Sequence, residues 1–101
     1  MNRDEVISAL RAHEQELREA GVVGVSLFGS TARGESAPGD VDIAVRLSSR
    51  FSQGGFDYFG RLEDLERHLS GLLGCKVDIV EEPVRKERFQ QEIDRDRALA
   101  F

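Results

Sequence analysis

From Asp40 to Leu47 the chain alternates without a break: Val41, Ile43, Val45 and Leu47 fall on one side, Asp40, Asp42, Ala44 and Arg46 on the other. A period of two is the signature of a strand, and it sends neighbouring side chains to opposite faces. Residues two apart share a face at a separation of about 6.6 Å. One face therefore suits a core, while the other aims two carboxylates at a common point, where their repulsion near an apolar sheet is poorly screened. Either these acids open a strand with one solvated face, or a divalent cation relieves them. Hard oxygen donors of this kind suit Mg²⁺, which takes one or two carboxylates and completes its shell with water and substrate phosphates.

Upstream, the β-branched run from Val22 to Phe28 reads as a second strand, and it ends abruptly in Gly29-Ser30. A glycine here lets backbone approach a ligand with no Cβ in the way, and Ser30 suits the N-cap of a helical turn beginning at Thr31. Free N–H groups at a helix start attract phosphate, and Arg33 on the same turn offers charge-assisted hydrogen bonds to phosphate oxygens. Each feature alone also fits an ordinary loop, with Arg33 and Glu35 as a surface pair. A third strand, about residues 75–80, carries Asp78 among Val77, Ile79 and Val80, so that carboxyl must be solvated, paired or metal-bound. Beside the Asp40 strand, at a spacing of about 4.8 Å, it would bring a third acid to the other two. Three acids behind a Gly-Ser phosphate loop suggest two-metal phosphoryl chemistry.

The spacing of Gly29-Ser30, nine residues, then Asp40-Val41-Asp42 resembles the signature of the DNA polymerase β-type nucleotidyltransferase superfamily. Ala32-Arg33-Gly34 within it resembles the minimal nucleotidyltransferase (MNT) branch, many of whose members are antitoxins paired with a HEPN-domain toxin. The segment before the first acid is one residue shorter than in many members and closes with Pro38-Gly39. The resemblance implies a nucleotidyltransferase fold and an Mg²⁺-dependent enzyme, with Asp40, Asp42 and Asp78 as catalytic and metal-binding residues. It implies that Gly29, Ser30 and Arg33 bind the nucleotide. It further implies transfer of AMP from ATP to a tyrosine of a partner HEPN ribonuclease toxin, as one half of a hetero-oligomer. Two other readings are a non-catalytic antitoxin that occludes its toxin stoichiometrically and, with less support, a small-molecule nucleotidyltransferase.

The 101 residues are enough for one domain, 1–101, and not for a second core. A net charge of −5 argues against a polynucleotide substrate, which would draw on many Lys and Arg contacts. The single Cys75 fits a reducing cytoplasm, and no apolar run approaches a membrane span. Flanking the strands, Asn2 and Glu5 form a capping-box pattern ahead of a helix over about 3–20, ended by Gly21. A polar connection over 48–55 reads as a loop bordering the site. A helix over about 56–73 follows, ended by Gly74, and a highly charged helix over about 84–97 has Pro83 at its first position. Phe89 and Ile93 are that helix's clearest apolar pair, so it is either solvated or a partner surface. Ala98 to Phe101 either tucks in or meets a partner, and His13 and His68 read as surface or packing residues. The expected fold is an α+β, or α/β two-layer, domain with helices packed on one side of a small mixed sheet.

Overall fold

The structure, a computed structural model, describes residues 2–35, 40–52 and 57–101. Two of the expected strands form where the pattern places them, β1 at Val22–Phe28 and β2 at Val41–Leu47, while the third, expected at about 75–80, begins two residues later as β3, Val77–Glu81. A fourth short strand, β4 (Ala98–Leu99), completes a sheet of order β3-β2-β1-β4. Strand β1 runs antiparallel to β2 and β4, whereas β2 and β3 are parallel, so the sheet is mixed. The C-terminal residues thus tuck in: Val25 exchanges backbone hydrogen bonds with Ala100 and Phe101, and Ala100 is buried.

Helix formation follows local signals with several corrections. Asn2 and Glu5 make the expected reciprocal capping box, but the first helix is not continuous to residue 20. It divides into α1 (Arg3–Ala12) and α2 (Glu14–Glu19) at His13, whose N–H reaches back to Leu10 in a tighter, 3₁₀-like bond. The short helix α3 (Gly29–Ala32) starts one residue before Ser30, with Phe28 at the cap position and no side-chain cap. Within the expected 48–55 loop lies a helical turn, α4 (Ser49–Ser52), whose Phe51 is buried beside Gly21. Because Gly21 precedes β1 and Ser48 follows β2, this turn sits at the end of the sheet away from the acids. Helix α5 is Tyr58–Leu73, ended by Gly74 in the left-handed conformation; its expected start at Phe56 lies outside the described residues. Helix α6 is Glu87–Asp96, beginning later than Pro83. The Val84 N–H is instead taken by the Gln90 side chain at 2.9 Å.

The alternation divides the sheet's two faces. Val25, Leu27, Val41, Ile43, Val45 and Val77 point into the main core, where Val6 and Leu10 of α1, Leu17 of α2 and Leu65, Leu69 and Leu73 of α5 cover them. The opposite parity places Phe28, Ala44 and Val80 under Phe89 and the fully buried Ile93 of α6. The charged helix is therefore seated on the second face of the sheet, beyond the one-sided packing expected from sequence. It is also held by charge. Glu82, with its side chain 1% exposed, accepts hydrogen bonds from both terminal nitrogens of Arg97 at 2.8 and 2.5 Å and from Gln90 at 2.6 Å. Arg97 also reaches Ser26 Oγ on β1 at 2.9 Å. These partners, Arg97 foremost, hold the Glu82 pKa below the usual carboxylate range in spite of burial.

Replacing Arg97 by Ala leaves that carboxylate buried without its cation and is expected to cost about 3 kcal/mol in urea unfolding at neutral pH. Since the folded pKa of Glu82 is depressed, the stability it contributes is present above its unfolded value of 4.5 and is lost as pH falls through the lower folded value. The gap between wild type and Arg97→Ala should accordingly narrow in acid.

Candidate functional site

The β1 and β3 neighbours of β2 set the geometry. In the ladder, Phe28 of β1 pairs with Asp42 of β2, and Asp42 pairs with Asp78 of β3, so two carboxylates stand side by side on the α6 face. Asp40, just before β2, is close enough to Asp78 to raise its pKa and lies 3.6 Å from the Lys76 ammonium. The three acids singled out from sequence are thus gathered at one end of the sheet. Gly29, next after Phe28, closes the group from above. Its φ is +75°, and a Cβ built there would stand 2.4 Å from Asp42 Oδ2. Glycine is required both by the backbone and by the carboxylate under it.

The electrostatics carry the mark of this crowding. The Asp42 pKa is raised, first by burial and then by repulsion from Asp78 and Asp40, with Arg33 acting in the opposite direction. Asp78 is raised by desolvation and by its contact with Asp40, with Lys76 opposing. Arg33 follows α3 and pairs with two carboxylates: its Nε with Glu35 at 2.7 Å and its Nη1 with Asp96 at the end of α6, also at 2.7 Å. The expected Glu35 pair is real, and Asp96 is an addition that sequence reading missed; 63 positions separate it from Arg33, and nothing local links them. Ser30 lies in α3, a single turn whose first N–H groups have no earlier helical carbonyl to bind. The Pro38-Gly39 turn lies outside the described residues.

The donor set fits a hard divalent cation: carboxylate oxygens only, mutually repelling, with Asp42 and Asp78 partly buried and Asp40 exposed. Among the described residues no group of three or more His, Cys, Asp or Glu side chains is placed to hold a metal ion by itself. A cation here would complete its shell with phosphate oxygens and water, the usual habit of Mg²⁺. His13 and His68 are elsewhere, both paired with Glu16 on the helical face at 3.2 and 2.5 Å. A cavity of about 260 Å³ on that face, lined by Leu17, Phe51 and Leu65 among others, contains none of the acids.

A strand, a glycine turn and a carboxylate pair on the next strand are the arrangement that the resemblance to nucleotidyltransferases implies. The nucleotidyltransferase domain model matches residues 10–99, and the chain belongs to that family. It is 40% identical over 79 residues to the protein adenylyltransferase MntA of Thermococcus cleftensis, a match covering 76% of this chain and 74% of the relative. Among solved structures it resembles one described as a minimal nucleotidyltransferase, with a TM-score of 0.74, 29% identity, and coverage of 97% of this chain and 95% of the other. The MNT antitoxin in complex with tri-AMPylated Shewanella oneidensis HEPN toxin shares the fold, with a TM-score of 0.61 and 21% identity over 94% of this chain and 71% of that one. Among the described residues no helix is long and apolar enough to cross a membrane.

Two variants test the site. Gly29→Ala places a methyl group against Asp42 and forces an L-residue into the left-handed region, at a cost of about 1–2 kcal/mol from the backbone alone. Nucleotide transfer should be lost in this variant while its circular dichroism remains native. In EDTA at pH 7, Asp42→Asn should melt above wild type, because it removes a carboxylate whose ionisation burial and its neighbours oppose. Below the ordinary Asp value of 3.8 the difference should vanish, since both states are then protonated. Added Mg²⁺ should raise the wild-type melting temperature more than that of Asp42→Asn.

Proposed function

We propose that this chain is an Mg²⁺-dependent protein adenylyltransferase, acting as the antitoxin of a HEPN/MNT pair in the cytoplasm. Its acceptor in this reading is a tyrosine hydroxyl of the partner HEPN ribonuclease toxin. The observation that carries the reading is the close approach of Gly29 to Asp42, with Asp78 in register beside it: a glycine turn held over paired acids. The likeness to MntA, a relative named for protein adenylyltransfer, supports the choice of reaction.

Asp40, Asp42 and Asp78 would hold Mg²⁺, two ions when the site is full, and the bound metal supplies charge neutralisation for the triphosphate and for the departing pyrophosphate. The backbone of Gly29 and Ser30 and the guanidinium of Arg33 hold the outer phosphates, which orients the α-phosphorus toward the acceptor. Asp78 lies on the edge strand of the sheet, and its carboxylate would also receive the acceptor's proton. The acceptor oxygen forms a bond to the α-phosphorus as the bond to the bridging oxygen breaks, and pyrophosphate leaves. The net charge of −5 favours a protein acceptor over a nucleic acid.

Incubation of this protein with its cognate toxin, Mg²⁺ and ATP, followed by intact mass measurement, tests the reading. The toxin should gain one or more AMP units, and none with the Asp40→Asn, Asp42→Asn double variant. A toxin left unmodified but still neutralised by both versions would make the protein a stoichiometric inhibitor instead.

A further inference from the structure

Arg33 spends two of its three guanidinium nitrogens on carboxylates, and those two carboxylates are not equivalent. Glu35 lies two residues away on an exposed turn and is 53% exposed. Asp96 is 11% exposed and closes α6, a helix seated by the fully buried Ile93 and, one residue further on, by the Arg97 bridge to buried Glu82. Only Asp96 ties Arg33 to the rigid frame. Among the described residues Nη2 of Arg33, with two N–H donors, has no partner.

We propose that Asp96 is a positioning residue for nucleotide binding: it holds the Arg33 guanidinium near Asp42 and leaves Nη2 for the oxygens of a triphosphate, making the end of α6 part of the nucleotide site. The inference rests on the reading of Arg33 as a phosphate-binding residue. A long, half-exposed arginine samples many rotamers, and a ligand that must order it binds more weakly. Holding the side chain beforehand through a buried-end carboxylate removes that cost. A pair serving as a brake would have to occupy the donors a phosphate needs, whereas here a complete N–H pair is left over.

The test is a calorimetric titration of the full chain with a non-hydrolysable ATP analogue and Mg²⁺, for wild type, Asp96→Ala, Asp96→Asn, Arg33→Ala and the Asp96→Ala, Arg33→Ala double variant. Asp96→Asn keeps the size and one acceptor oxygen, so it carries the test if the alanine variant does not fold. Each Asp96 variant is expected to weaken binding about three- to tenfold, the range for ordering one long side chain. The double variant should bind no more weakly than Arg33→Ala alone, because Asp96 acts only through Arg33. Unchanged or tighter binding in the Asp96 variants, or losses that add in the double variant, would overturn the positioning role while leaving the nucleotide site in place. Absence of binding by the wild-type protein would instead overturn the nucleotide reading, and this inference with it.

Discussion

The parity of β2 is the constraint on which both the core and the site depend. Val41, Ile43 and Val45 are buried against the helices, while Asp42 stands on the opposite face between Phe28 and Asp78. A slip of one residue would exchange these sets, exposing three β-branched side chains at about 2 kcal/mol each and driving carboxylates into the core. The register of the catalytic-looking residues is therefore fixed by apolar packing. The same alternation that folds the chain aims the acids.

That placement costs the folded state something. Asp42 and Asp78 both have raised pKa values, each first because burial opposes ionisation and then because of neighbouring acids, Asp78 and Asp40 for Asp42 and Asp40 for Asp78, and Gly29 must hold a positive φ directly above Asp42. Glu82 is the informative contrast. It is more deeply buried than either acid, yet its pKa is lowered, since Arg97 and Gln90 satisfy it within the chain. One carboxylate on this face is neutralised by the protein, and the paired acids are left with repulsion that the nearby Arg33 and Lys76 only offset. Groups left in that state are the ones expected to take a ligand.

How far the sequence could be read follows from the range of each interaction. Strands β1 and β2 were legible to the residue because their signals, alternation and a Gly-Ser stop, are local, and the convergence of Asp78 followed from one assumption, that its strand lies beside β2. The breaks were less legible. His13 interrupts a run whose apolar spacing continues across it, and Val84 to Lys86 stay out of α6 because Gln90, a tertiary partner, takes the Val84 N–H. The 48–55 connection looked like a site loop by composition, yet the turn from Ser48 to the buried Phe51 closes the opposite end of the sheet. Asp96 carried no signal at all, since its partner is on another element far along the chain.

The second face of the sheet explains the unusual composition of α6. A helix covering that face completely would seal off Asp42 and Asp78, and a bare face would leave Phe28 and Val80 in water. Ala44, between Asp42 and Arg46 on the same face, is small enough to let a helix approach, and Phe89 meets Phe28 edge-on at a centroid distance of 5.8 Å. Two apolar residues suffice for so narrow a seat, which is why the helix's stripe is thin and the rest of it charged. What the narrow stripe does not supply, the buried Glu82–Arg97 pair and its contact with Ser26 do, by fixing where the helix ends. The ending matters because Asp96 stands there, within 2.7 Å of Arg33. Partial cover of the second face thus serves two needs at once: it buries what is apolar, and it leaves the acids open beside an arginine held from the far end of the chain.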